Sequence, residues 1–324
     1  MSAYAELIAD RGAAAESAEF FRSRPFLDAE GVTHTLRIAA GGVELLAPLL
    51  VREIPGTAER DAISPYGYPG LSAFFSAAEV DRPMVGSTSA AAIDPALVDF
   101  SATGLVSVFL RHTVGEPPPL GASERNVVQV ADPELPAKSR MSDRQQIRRN
   151  LRRGYELRLV AGAETTPGER AGFLDAYEQT MRRTGAAKRY FFGAAYFDRI
   201  LDSDRTWLAL ALAPGGEAAA ASIAARSDGY IHYYLSGSAD SHLRDSPMKN
   251  VVAALVELSS EQGLPLNLGG GVSPGDRLEE FKRGFANRER PWRTSEIVCD
   301  EPAYARLAAS SGASGFFPAY RAPA

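Results

Sequence analysis

Lysine is the scarce cation of this 324-residue chain, with four lysines against 31 arginines. One of the four, Lys282, stands beside Phe281 near the end of Asp276-Arg-Leu-Glu-Glu-Phe-Lys-Arg-Gly-Phe285. An ammonium is a compact charge on a flexible stem, and it suits a reaction in which negative charge develops on one oxygen. A solvated helix lysine next to a core phenylalanine uses the same two letters, so the pair alone leaves both readings open. Other reactive constellations are missing. His34, His112, His232 and His242 have no metal-ligand spacing. Cys299 is the only cysteine, which excludes an intramolecular disulfide and a zinc site built on several thiolates. Neither a metal nor a cofactor is expected. No glycine-rich nucleotide fingerprint, Ser-x-x-Lys or nucleophile elbow occurs. His232, in an apolar run beside Tyr233, reads as a packed or surface residue rather than a base.

The elements that must position Lys282 follow from periodicity. Leu264-Pro-Leu-Asn-Leu268 is a short apolar run that predicts a buried strand. Gly269-Gly-Gly271 lets the backbone turn sharply where side chains would clash. Asp276 can then cap a helix that carries Phe281 and Lys282 at its far end. Upstream, Ser246-Pro-Met248 predicts a helix start with serine as N-cap and proline at the first helical position. Met248, Val251, Val252, Leu255 and Leu258 give that helix one apolar face, and Gly263 stops it. Residues 170–180 form a second amphipathic stretch through Phe173, Leu174 and Tyr177.

The order of elements occurs twice. Residues 35–39 read as a strand, Gly41-Gly42 as a hairpin turn and 43–51 as a second strand, with a later turn into Ser64-Pro-Tyr-Gly67. Residues 206–212, the turn Pro214-Gly-Gly216, residues 218–226, the turn Asp228-Gly229, and 230–235 with its Ser-Gly-Ser tail repeat that order. Two unrelated β-meanders would produce the same string. Hairpin-joined strands alternating with helices indicate an α/β (α+β) class, two mixed units with a central sheet and flanking helices in each. Gly115-Glu-Pro-Pro-Pro-Leu-Gly121 reads as a stiff surface loop, and Ala131-Asp-Pro-Glu-Leu-Pro136 as the best linker.

With 45% hydrophobic residues, the chain can build two ordinary cores. It has no apolar run of about 18 residues and no signal-peptide pattern, so a cytoplasmic protein without membrane attachment is expected. A net charge of −5 argues against indiscriminate coating of nucleic acid. The basic residues nevertheless cluster: eight lie between Lys138 and Arg158, among them Arg144, Arg148 and Arg152 at every fourth position. Further clusters hold Arg182, Arg183, Lys188 and Arg189, and Lys282, Arg283, Arg288, Arg290 and Arg293. Such clustering fits one basic face for a phosphate-rich ligand, or merely a solvated helix face.

The pattern strand-GGG-x₄-D-x-L-x-x-F-K-x-x-F, with Tyr233-Tyr-Leu-Ser-Gly-Ser238 and Ser246-Pro-Met248 before it, resembles the C-terminal half of the Fem-type aminoacyltransferases. These form a branch of the Gcn5-related N-acyltransferase (GNAT) superfamily. Ile63-Ser-Pro-Tyr-Gly-Tyr-Pro-Gly70 is similar to their N-terminal signature, so the likeness spans roughly residues 63–285. It implies tandem GNAT-like domains, residues 1–135 plus 294–324 and residues 136–293, with the 294–299 strand returned to the first.

The resemblance also implies a reaction: transfer of an amino acid from aminoacyl-tRNA to a primary amine. Lys282 would oppose the tetrahedral oxyanion, and Phe281 would pack against the end of the donor. Tyr233 or Tyr234 would contact substrate, and strand alternation leaves one of the two in the core. Arg144, Arg148 and Arg152 would grip the tRNA through phosphates. Tyr66 and Tyr68 would line an acceptor pocket, or else fill a turn. Cell-wall members carry an arginine four residues before the tyrosine of a segment like Tyr196-Phe197; here that position is Phe192, with Arg183 or Arg189 as substitutes. A small amine or peptide acceptor fits this departure better than a nucleotide-linked precursor. The [QR]-x-x-G-x-[GA] loop that holds CoA in acetyl-transferring relatives is absent from Leu235–Met248 and from Tyr66–Gly70. CoA-dependent N-acylation and a non-catalytic binding protein are the alternatives, and a monomer is expected.

Overall fold

The computed structural model describes residues 3–10, 19–75, 93–115, 118, 120–309 and 315–322. They divide into two compact units, Met1–Arg125 with Pro291–Ala324, and Asn126–Arg290. Of the proline-rich loop, residues 116, 117 and 119 lie outside the described residues.

The first unit holds β1 (Ala3–Ile8), helix α1 (Arg24–Glu30), β2 (His34–Ala40), β3 (Val43–Glu53), β4 (Arg60–Ile63), β5 (Ser72–Phe75), β6 (Val98–Asp99) and β7 (Ser107–Arg111). Gly41 and Gly42 both take positive φ, which closes the β2–β3 hairpin at Ala40↔Val43. β3 continues antiparallel to β4, and β4 lies parallel to β7 through Ala62↔Val108 and Ile63↔Phe109. Leu36, Ile38, Leu45, Leu49, Val108 and Leu110 fill the core under these strands.

The second unit begins in β8 (Ser123–Ala131) and runs through α2 (Met141–Arg152), β9 (Glu156–Ala161), α3 (Pro167–Arg183), α4 (Ala194–Leu201), β10 (Thr206–Leu212), β11 (Ala218–Ser227) and β12 (Tyr230–Ser238). It continues with α5 (Met248–Gln262), β13 (Leu266–Gly269), α6 (Arg277–Arg283) and the start of β14 (Arg288–Val298). The strands β10, β11 and β12 are consecutive antiparallel neighbours, and β12 is parallel to β13. Both units are therefore built alike: three antiparallel strands in chain order, then a parallel partner. α5 buries Val251, Val252, Leu255 and Leu258 against this sheet. Each such side chain contributes about 1.5–3 kcal/mol relative to exposure. Helix α7 (Glu301–Ala308) and a 3-10 turn at Ala319–Arg321 belong to the first unit.

Four local expectations change. Ser246 is not the cap of α5: it takes a left-handed φ of 48°, and Pro247 stands at the N-cap with no side-chain bond. β12 does not stop at Leu235 but runs to Ser238. Pairing with β11 continues to Ala220↔Ser238, and Gly237 leaves room for α3 there: an added Cβ would lie 2.4 Å from the Ala176 carbonyl oxygen and the Tyr177 backbone. The arginines before Thr294 do not form a turn but extend β14, because its charges find partners along the strand: Arg288 with Asp132, and Arg293 with Glu124 at 3.0 Å. Residues 131–136 are not a loose linker, since Asn287 also donates to the Asp132 carbonyl oxygen. Among the described residues no helix is long and apolar enough to cross a membrane.

Candidate active site

β12 and β13 pair through only two register positions, Ile231↔Leu266 and His232↔Asn267. Beyond them β12 stays with β11, while β13, already paired with β8 from Leu266↔Ala131, keeps only that partner through Gly269↔Gln129. The two strands separate there. His232 and Asn267 mark the point of parting: Asn267 donates to His232 Nδ1 at 3.0 Å and accepts the Gly269 N–H at 2.8 Å. His232 Nε2 then donates to the Ser227 carbonyl oxygen. The ring is consumed in the core, as the sequence suggested.

The glycine turn follows. An added Cβ on Gly270 would lie 2.7 Å from Asn126 Nδ2 and 2.8 Å from the Val127 carbonyl oxygen; one on Gly271 would lie 2.5 Å from Asp276 Oδ1. Asp276 holds the loop from the other side, accepting the N–H groups of Val272 and Ser273 while its second oxygen caps α6 through the Glu279 N–H at 2.8 Å. α6 thereby starts where the sequence placed it, with its dipole complemented by Glu279 and Glu280 in the first turn.

Lys282 lies in the last turn of α6 and is 7% exposed. Its Nζ donates to the Gly270 carbonyl oxygen at 2.6 Å and sits 6.0 Å from the centre of the Tyr233 ring. Burial lowers its pKa to about 8, against the opposing pull of Asp276 and Glu279. An ammonium has three N–H donors, and the carbonyl takes one. Tyr233 is half-buried beside it, its phenol pushed up to about 12 by burial.

The other expected residues separate into groups. Phe281 packs edge-on to Phe285, with ring centres 5.6 Å apart, and rests on the core of the second unit. A β-bulge where Ile223 pairs with Leu235 and Ala224 with Tyr233 inserts Tyr234 as the extra residue. Tyr234 is buried, and its hydroxyl meets that of Tyr196 at 2.9 Å. Phe192 stacks on Tyr196 at 4.1 Å, so the departure from the cell-wall pattern is an aromatic stack where a cation would stand. Arg183 is occupied: it pairs with Asp240 and donates to the Ser238 carbonyl oxygen, fastening α3 to the end of β12. Tyr66 and Tyr68 belong to the first unit, where Tyr68 packs against Phe21 and Trp292 at 5.7 and 5.9 Å. Arg144, Arg148 and Arg152 project from α2 and are exposed. Among the described residues no carboxylate lies within ion-pair distance of these three.

Sequence reasoning passed over two members of this site. Asn267 was signalled by a polar residue inside an apolar strand. Glu279 gave no signal, being one charge among several on a short helix. Among the described residues no group of three or more His, Cys, Asp or Glu side chains could hold a metal ion.

Residues 137–283 match the family model described as an acetyltransferase (GNAT) domain. No curated protein matches the sequence. Solved structures similar to the chain include FemX, at 12% identity over 88% of this chain and 93% of that one, with a TM-score of 0.59. L-PGS from Bacillus licheniformis is similar at 13% identity over 80% and 83%, with a TM-score of 0.54. The C-terminal domain of a putative lysylphosphatidylglycerol synthetase from Agrobacterium fabrum is similar at 12% over 93% and 94%, with a TM-score of 0.52. Residues 137–283 thus resemble a GNAT domain, and the fold of the chain is similar to that of FemX.

Proposed function

We propose that the chain transfers an aminoacyl group from aminoacyl-tRNA to a primary amine of a small peptide-like acceptor. One observation carries the reading: a buried, singly bonded ammonium at the point where two parallel strands part. In the reaction the acceptor nitrogen attacks the ester carbonyl carbon, the C–N bond forms and the C–O bond to the ribose breaks. The surplus proton of the amine ends on the ribose oxygen. Lys282 offers its two remaining N–H donors to the oxyanion, in a site where low dielectric strengthens the contact. The ester is already activated, so positioning and charge stabilisation are enough. Likeness in fold to FemX and to a putative lysylphosphatidylglycerol synthetase supports an aminoacyl donor.

Acyl-CoA-dependent N-acylation is the second reading, favoured by the description of the matching domain model. The start of α5 opposes it. There the N–H groups of Lys249 and Asn250 are already bonded to the carbonyls of Ser246 and Pro247, so they are not presented to a pyrophosphate. Supplying labelled aminoacyl-tRNA or acyl-CoA with a panel of amines separates the two. Amide product from the tRNA donor that disappears after RNase treatment is expected; product from acyl-CoA alone contradicts the proposal, and product from neither returns the chain to a binding role.

A further inference from the structure

We infer that Glu279 is the positioning residue of this centre: its carboxylate ties the glycine loop that seats Lys282 and, together with Asp276, sets negative charge beside the buried amine. The inference rests on Lys282 being the cation of the transfer reaction. Glu279 is 6% exposed, which is rare for a carboxylate unless it is bonded. One of its oxygens accepts the Gly275 N–H at 2.8 Å, and the other takes the Arg283 guanidinium at 2.5 Å. Its own backbone N–H is held by Asp276, which holds Val272 and Ser273 as well. Loop and helix are therefore knotted at one residue. The Gly270 carbonyl that receives Lys282 lies at one end of this knot, and Lys282 itself stands three residues after Glu279, on the same side of α6.

Burial opposes the charge on Lys282, and Asp276 and Glu279 restore part of it. Asp276, the larger of the two contributions, is half-exposed and spends its oxygens on loop amides; Glu279 is buried with the lysine. The other charged or titratable groups facing this helix are few. Tyr233 on β12 offers a ring face, and Glu289 on β14 lies 3.6 Å from Arg283. Arg140 meets Glu280 at 3.6 Å, and Asp143 on α2 is paired with Lys249 at 2.9 Å. Arg283 is thus the one cation in contact with Glu279 among the described residues, and it draws on the charge that Lys282 needs.

The scarcity of lysine makes the test direct, because only four lysine signals need to be resolved. Protein carrying ¹³C-labelled lysine is titrated by NMR, with Lys282→Arg identifying the Lys282 signal. In Glu279→Gln the Lys282 amine is expected to lose its proton about one pH unit lower than in the parent chain, while the other three lysines titrate unchanged. Glu279→Asp, which keeps the charge but cannot span both Gly275 and Arg283, is expected to lower the midpoint by less. An unchanged midpoint in Glu279→Gln, with the fold confirmed by the other three signals, overturns the inference. The measurement uses no substrate, so its outcome is independent of the donor assay. In that assay a positioning role predicts loss of turnover in Glu279→Gln with substrate affinity retained and partial rescue by Glu279→Asp.

Discussion

Lys282 is costly to the fold that houses it. Its pKa falls from 10.5 to about 8 on burial. Between these two values the unfolded chain holds a proton that the folded chain has released, so stability rises with pH across that window. Below about pH 8 the full cost of the buried charge is present. Lys282→Met keeps the stem and removes the charge; it should raise stability at pH 7 by up to about 3 kcal/mol, and the gain should shrink as pH climbs toward 10.5. Urea denaturation of both proteins at pH 7 and 10 measures this. A gain independent of pH would mean that the amine is not strained by burial. Activity should run the other way. Because the oxyanion contact needs an ammonium, transfer should decline as pH rises through about 8. Lys282→Arg should fail largely, since a planar fork cannot occupy the seat of a compact ammonium.

At the scale of elements, the site depends on a turn that tolerates no side chain. Gly270→Ala places a methyl 2.8 Å from the Val127 carbonyl oxygen, a backbone atom with little freedom to yield. The loop must move and the Gly270 carbonyl with it; we expect about 1–3 kcal/mol of lost stability and loss of transfer beyond what that cost explains. Activity that follows folded fraction alone would contradict this. Much of this scale was legible in the letters. The turns at Gly41-Gly42 and Asp228-Gly229 require positive φ, so the hairpins announced themselves. β10 falls at residues 206–212 as read, and Asp276 caps α6 as its position suggested. What could not be read were features set by distant neighbours. β12 runs on along β11 past Leu235, with Gly237 leaving room for α3, and Ser246 loses its capping role to a backbone twist. The bulge at Tyr234 decided which tyrosine faces Tyr196, and no local pattern encodes it.

For the whole molecule, an acidic chain must still bind a polyanion if the donor is aminoacyl-tRNA. Arg144, Arg148 and Arg152 lie on one exposed helix face and meet no carboxylate among the described residues. Replacing all three by Gln should weaken tRNA binding equally for different tRNA sequences, because phosphate contacts carry no base information. The slope of log affinity against log salt should flatten by up to about three units if each arginine holds one phosphate. An unchanged slope would assign these arginines to solvent. The most direct test of the account remains the rate of a single turnover from labelled aminoacyl-tRNA in Lys282→Ala. A fall of ~10²-fold or more with tRNA affinity unchanged is predicted for a lost oxyanion donor. A rate within a few-fold of the parent chain would contradict the account and return Lys282 to a merely buried lysine.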